Sequence, residues 1–328
     1  MLNVAQELQR RGYHVSVVAP AGSQLADIPV VEVAGQLQPT AHTQGRNTPV
    51  ILPQDSVLAN MWDYVRTVQH QTNLVVNFAY DWLPFYLTSF FDVPVAHFVT
   101  MGSLSDAIDS IIQQIAQRYP RRLACYTRTQ AETFSDLEVF QCLSSAIDLD
   151  QYHFCPDPGD AVAWLGRISP EKGLEDALAA TQRAHIPLKI MGKLEDQDYW
   201  QRLCTDFPQA EDAYLGFLPT HELQAILRRC RALVMTPRWV EAFGNVAIEA
   251  LACGVPVISY ARGGPSEIVT DGKTGWLVPP DDVDALTTAI QNVDQLDRSD
   301  CRHLAELKYS LTALGDRFEA GFETILGE

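Results

Sequence analysis

At 328 residues with 47% hydrophobic content, the chain is long enough for two domains and rich enough to bury a core in each. A formal charge of −17, from 24 basic and 41 acidic residues, repels nucleic acid and anionic lipid; "RYPRR" (118–122) is the best basic patch and is small. No apolar run is long enough to span a bilayer, and "MLNVAQELQR" has no basic stretch leading into an apolar core, so a cytoplasmic chain is expected, with neither span nor signal peptide.

In chain order, "LNVAQELQRRGYHVSVVAP" reads as an amphipathic helix closed by Gly12 and followed by a strand. A doubly wound domain ordinarily begins with a strand that ends in a Gly-rich loop, and both are expected to be missing here. Further β-rich runs follow at "NLVVNF", "PVAHFVT", "AVAWLG", "LKIMG", "LVMTP" and "PVISY". Helix-period segments such as "LEDALAATQRA" and "HELQAILRRCRA" lie between them, which argues for parallel sheets covered on both faces. The alternation breaks at "DLDQYHFCPDPGDA" (148–161), rich in Pro, Asp and Gly, so the domains are expected to meet near Asp157. This gives an N-terminal domain over 1–156, a second domain over 157–305, and a last helix over 306–328. The seven cysteines show no C-x-x-C pair and no ligand spacing, and read as buried free thiols in a reducing compartment.

The chemistry concentrates in the second half. In "WLGRISPEKGLEDALAA" a strand ends at Gly166, Arg167 follows, and Ser169, Pro170 and Glu171 suit an N-cap, an N1 proline and an acidic first turn. Arg167 and Lys172 thus flank a helix N-terminus, which is either a diphosphate site or a pair of solvated charges. In "LVMTPRWVEAFGNVAIEALACGVPV" the strand gives way to a loop holding Glu241. Phe243 and Gly244 open a helix with Asn245 in its first turn, Glu249 farther down, and a stop near Gly254. A carboxylate there accepts from paired sugar or ribose hydroxyls, and a glycine amide allows close approach of a phosphate. A nucleotide with a sugar at each end of its diphosphate uses all of these features.

The string "LGRISPEKG" resembles the G-R-x-x-x-E-K-G of family 4 glycosyltransferases, the retaining GT-B enzymes, and "EAFGNVAIE" resembles their E-x7-E signature. The likeness continues through "ALACGVPVISYARGGPSEIVTDGKTGWLVPPDD", includes "SSAIDLDQYHF", and runs from "QELQRRGYHVSVVAP" to "DALTTAI". It implies two Rossmann-like domains facing across a cleft, a last helix crossing back to the first domain, a nucleotide-sugar co-substrate, and no obligatory metal or cofactor. It further implies that Arg167, Lys172 and the strand end at Gly166 meet the donor diphosphate. Glu249 would hold the ribose, and Glu241 with the loop at Phe243, Gly244 and Asn245 would meet the donor sugar and its phosphate. The D-x-D spacings Asp148/Asp150 and Asp196/Asp198 are those of metal-dependent transferases of another fold, but 41 acids produce such spacings by chance.

The first domain departs from the family. The histidine that many members carry past the strand "VPVAHFVTMGS" aligns with Thr100 or Met101, and His97 stands earlier, as either a cleft residue or a core histidine. Asp81 either orients an acceptor hydroxyl or caps a helix. The aromatic run Phe78, Tyr80, Trp82, Phe85 and Tyr86 either stacks on a planar acceptor or faces the core. The strings "SVVAPAGSQL" and "VPVAHFVTMGSLSD" resemble a cyanobacterial group of UDP-glucose:tetrahydrobiopterin glucosyltransferases, which implies UDP-glucose as donor and a pterin acceptor. A non-catalytic nucleotide-sugar-binding relative and a sugar-nucleotide epimerase are the other activities compatible with these motifs.

Overall fold

The computed structural model describes residues 1–25, 27–134 and 138–327. Its contacts divide the chain into two units, Met1–Ser144 with Leu314–Glu328, and Ser145–Ala313. This boundary lies earlier than the composition shift near Asp157. The intervening segment packs on the second unit: the Ile147 amide donates to the Tyr309 carbonyl at 3.0 Å, and Tyr152 is buried there. The last stretch also differs from a single helix over 306–328, being two helices, Arg298–Lys308 and Leu311–Leu326.

The first unit opens on the helix Leu2–Arg10, and Gly12 follows it at φ +93°. Strands β1 (Val17–Pro20) and β2 (Val30–Val33) form a parallel pair. A separate parallel sheet joins β3 (Val75–Asn77), β4 (Val95–Phe98), β5 (Leu123–Cys125) and β6 (Phe140–Cys142) in that order. Phe85, Ile112, Leu123 and Phe134 belong to its core. Glu7, 1% exposed, accepts from the guanidinium groups of both Arg10 and Arg11, and Arg11 in turn pairs with Asp316 and Glu319 on the last helix. Gly315 lets that helix lie close, since a Cβ there would stand 2.4 Å from the Arg11 guanidinium carbon.

The second unit is a five-stranded parallel sheet of β7 (Val162–Leu165), β8 (Leu188–Met191), β9 (Leu233–Met235), β10 (Val257–Tyr260) and β11 (Gly275–Val278). Every residue of β7, β9 and β10 is buried, which is why these strands read as almost wholly apolar runs, broken only by Ser259 in β10. Helices Leu174–Ala184 and Val283–Gln291 pack together, as do Asn245–Ala252 and Arg298–Lys308. The strand order is β11-β10-β9-β7-β8. The chain moves from β7 outward to β8, then returns to β9 on the other side of β7, so the order reverses between β7 and β9. In open parallel sheets that reversal leaves a crevice beyond the carboxyl ends of the two strands, because the connecting helices depart to opposite faces.

Two local expectations change. Ser169, Pro170 and Glu171 begin a 3-10 turn, Pro170–Lys172, and the α-helix starts only at Leu174. Gly173 separates the two at φ +63°, where a Cβ would stand 2.2 Å from the Thr236 carbonyl oxygen. Close approach to the neighbouring strand end sets the break, and the Ser169 hydroxyl donates to Glu171 at 2.7 Å instead of capping. Of the seven cysteines, Cys125, Cys230, Cys253 and Cys301 are buried, Cys155 and Cys204 are partly exposed, and Cys142 is exposed. No helix among the described residues is long and apolar enough to cross a membrane.

Candidate donor site at the strand reversal

Gly166 directly follows β7, and its amide donates to the Met191 carbonyl at the end of β8. Gly192, at φ +149°, passes so close that a Cβ would lie 1.8 Å from the Gly166 oxygen. Gly192→Ala is therefore expected to destabilise the second unit by about 3 kcal/mol or more, since backbone must move to admit the methyl group. Denaturant unfolding followed by the fluorescence of Trp164, buried on β7, checks this; an unchanged midpoint would show that the strand ends part freely.

Arg167 reaches out from the same turn to Glu195 at 2.5 Å and Glu171 at 3.1 Å. Lys172, at the end of the 3-10 turn, forms an ion pair with Glu241, and their side chains are 18% and 15% exposed. The two residues come from opposite sides of the strand reversal, the turn after β7 and the loop after β9. The loop is braced along its length. Thr236 accepts from the Trp164 indole and donates to the Lys172 carbonyl, both at 3.2 Å. The Arg238 amide donates to the Glu171 carbonyl at 2.9 Å, Arg262 donates to the Pro237 carbonyl at 2.9 Å, and the Gly264 amide donates to the Glu241 carbonyl at 2.7 Å. Such bracing holds the carboxylate and the ammonium in place before any ligand arrives.

Gly244, at φ +97°, caps the helix Asn245–Ala252, with Phe243 buried behind it and Asn245 exposed at its first position. The first amides of that helix have no intrahelical acceptor and carry the positive end of its dipole. Glu249 lies one turn further along and is hydrogen-bonded to Tyr152. Burial pushes its carboxyl up to about 7. Arg302 fixes Tyr152 by donating to the carbonyls of Tyr152 and Ala252, each at 2.8 Å. Arg167, Lys172, Glu241, Gly244, Asn245 and Glu249 thus all belong to the second unit. Tyr152, Trp239, Arg262 and Gly264 support them and were not singled out from the sequence. The tyrosine of "DLDQYHF" sits in a string taken as linker, and the others lie inside motifs of which only the charged members drew notice.

The first-unit candidates stand differently. His97 is fully buried on β4, stacked on Phe85 with ring centroids 4.4 Å apart. The Asn77 amide donates to Nδ1 at 3.1 Å, and Nε2 is bonded to the Thr88 hydroxyl at 2.8 Å. Because Asn77 Oδ1 is itself held by the Ala79 amide, Nδ1 accepts and Nε2 carries the proton toward Thr88, which donates on to the Pro84 carbonyl. Burial, helped by Arg122, lowers its pKa to about 3. This is the core histidine, not the cleft residue. Asp81 caps the helix Trp82–Leu87 through the Leu83 amide and accepts from Gln38 with its other oxygen, so both oxygens are engaged. The aromatic run is divided: Phe85 is core, whereas Tyr86 is 45% exposed and stacks on Trp82 at 4.6 Å. Asp148 and Asp196 cap a 3-10 turn and a helix, and no cluster of three or more potential metal ligands occurs among the described residues.

Residues 153–306 match the family model described as glycosyl transferases group 1. A GDP-mannose-dependent alpha-(1-6)-phosphatidylinositol monomannoside mannosyltransferase of Mycolicibacterium smegmatis is 34% identical over 192 residues, 50% of this chain and 50% of its own. Glycogen synthase of Mycobacterium tuberculosis is 29% identical over 244 residues, 66% of this chain and 59% of its own. The chain therefore spans about half the length of these curated relatives. Among solved structures, Anabaena HepE in complex with UDP superposes with a TM-score of 0.76 at 17% identity, covering 98% of this chain and 96% of that one. A likeness of that extent at that identity establishes the fold, the two-unit GT-B architecture expected from the motifs. The matched residues 153–306 span the strand reversal and both of its loops, so it is this part of the chain that is similar to the group 1 glycosyltransferases.

Proposed function

We propose that the chain transfers a hexosyl group from a nucleotide-sugar donor, with UDP-glucose as the donor of choice, to a hydroxyl of a soluble acceptor in the cytoplasm, with retention at the anomeric carbon. The observation that carries this reading is the Lys172–Glu241 pair across the reversal between β7 and β9, beside Arg167 and the helix start at Gly244. In it, Lys172, Arg167 and the amides at Gly244 and Asn245 hold the diphosphate and stabilise the charge that grows on it as the sugar leaves. Glu241 accepts from sugar hydroxyls and Glu249 from the ribose. An acceptor attacking the face that the diphosphate leaves can pass its proton to a donor phosphate oxygen, so no protein base is assigned and neither His97 nor Asp81 is needed as one. No metal or cofactor has a part in this reading. For the acceptor we propose a pterin, on the strength of the short strings quoted above and the stack of exposed Tyr86 on half-buried Trp82.

Calorimetry with UDP, GDP and ADP and their hexose conjugates tests the donor half. Glu249→Ala is expected to weaken the binding of one family of donors by about 1–3 kcal/mol. The raised pKa adds a second expectation. A carboxylate that accepts ribose hydroxyls must be ionised, and a group titrating near 7 is mostly protonated at pH 6. Affinity is therefore expected to fall about tenfold between pH 8 and pH 6 in the wild type, and to lose that part of its slope in Glu249→Gln. No binding of any nucleotide by the wild type would refute the reading; conversion of the donor without acceptor would replace transfer by epimerisation.

A further inference from the structure

Trp239 stands two residues before Glu241, on the loop after β9, and is partly exposed. Its indole N–H donates to Glu241 Oε2 at 3.1 Å, the same oxygen that pairs with Lys172. The Lys172 ammonium also lies 5.1 Å from the centroid of the Trp239 ring. One side chain therefore touches both charged members of the pair, the carboxylate through its edge and the cation through its face. Glu241 Oε1 has no protein donor among the described residues. The two donors converge on Oε2 and leave Oε1 to meet a hydroxyl.

We propose that Trp239 is a positioning residue that couples recognition of the diphosphate to recognition of the sugar. The proposal rests on the donor-binding reading above. A phosphate reaching Lys172 competes with Glu241 for the ammonium, and a carboxylate released by its cation is free to swing. The indole N–H holds Oε2 through that exchange, so Oε1 stays aimed. The ring face keeps Lys172 within reach of both anions, because the π-cloud attracts the ammonium wherever it points along the face. An arginine or lysine in place of the tryptophan could offer N–H donors but would repel Lys172, and a phenylalanine could offer a face but no donor. Tryptophan alone among the aromatic residues brings both to this spacing without an acceptor that would repel Glu241.

The two contacts can be separated. Trp239→Phe keeps a ring over Lys172 and removes the N–H; Trp239→Leu removes both. Calorimetry is run with UDP and UDP-glucose, and with GDP and GDP-mannose, on the wild type and both variants. In Trp239→Phe the bare diphosphate is expected to bind within about twofold of wild type, while the sugar conjugate loses about fivefold or more, as for one hydrogen bond to a charged group. In Trp239→Leu the bare diphosphate is expected to weaken as well, by about threefold, the scale of a partly exposed cation–π contact. An indole 15N–H spectrum gives a readout that packing alone would not move. The resonance missing in Trp239→Phe is expected to shift in Glu241→Gln. Equal affinities in wild type and Trp239→Phe, or a resonance indifferent to Glu241→Gln, would overturn the coupling role while leaving the donor site standing. A wild type that binds none of the four ligands would overturn the donor site and this role together.

Discussion

Lys172→Met is expected to reduce the affinity for a nucleoside diphosphate by about a hundredfold, the equivalent of losing a charge-assisted contact of 2–3 kcal/mol. The methionine keeps most of the apolar stem, so the change isolates the charge. Two effects add in this variant. Loss of the ammonium removes a partner of the phosphate, and it also leaves Glu241, 15% exposed, without its cation and facing the incoming anion. Repulsion from that unpaired carboxylate adds to the loss, so Lys172→Met is expected to bind more weakly than the double variant Lys172→Met, Glu241→Gln. Calorimetry with UDP and GDP on wild type, both single variants and the double variant decides the matter. If Lys172→Met bound as tightly as wild type, the phosphate would have to sit elsewhere and the assignment of the strand reversal as donor site would fall. Arg167, already shared between Glu171 and Glu195, is expected to matter less, because those carboxylates can reclaim it.

The second large effect concerns stability in acid. His97 is neutral in the folded chain down to about pH 3, whereas an unfolded histidine takes up its proton near 6.5. Between those values the unfolded state binds a proton that the folded state refuses, so stability is complete above about 6.5 and falls as the pH falls. The slope reaches about 1.4 kcal/mol per pH unit within the window, which sums to roughly 4–5 kcal/mol, comparable with the whole stability of a modest domain. Glu249 works in the opposite sense in the second unit. Its pKa, raised to about 7, makes the folded state the better proton binder between the unfolded carboxylate range and 7. Urea unfolding at a series of pH values, read by probes in each unit, is expected to show the first unit weakening on acidification. His97→Leu is expected to lose that dependence, at a cost near neutrality of about 2–4 kcal/mol because Asn77 and Thr88 are left unpaired in the core. An imidazole resonance of His97 that titrates near pH 6 would contradict the closed Asn77–His97–Thr88 chain.

Much of this arrangement was legible in the residue order. The parallel strands announced themselves as short, mostly apolar runs, and β7, β8, β9 and β10 lie where "AVAWLG", "LKIMG", "LVMTP" and "PVISY" fall. Strands β2, β5, β6 and β11 did not, because three or four residues such as "LAC" or "FQC" carry no period to detect. The charged members of the candidate donor site were legible because glycines, caps and strand ends fix their neighbourhood locally. Their pairing was not, since Lys172 and Glu241 meet only through the strand order, and nothing between them in the chain encodes that order. The same holds for His97. Its role depends on Asn77 one strand away and on Thr88 beyond a helix, so a single strand could not distinguish a ligand from a core residue. Gly173 shows the converse: a glycine after a lysine looks like the interior of a helix start, and only the Thr236 carbonyl pressed against it reveals why the helix begins later.

The first unit is built from both ends of the chain, with Arg11 tied to Asp316 and Glu319 on the last helix. During synthesis on the ribosome, residues 145–313 emerge before that helix exists, so the unit begun first is the last to close. A nascent chain must therefore carry an unfinished first unit while its second unit folds. A premature stop after Ala313 would leave every strand of the second unit in place and take from Arg11 two of its carboxylate partners, so a loss more than 300 residues away is felt in the helix Leu2–Arg10 and the turn that follows it.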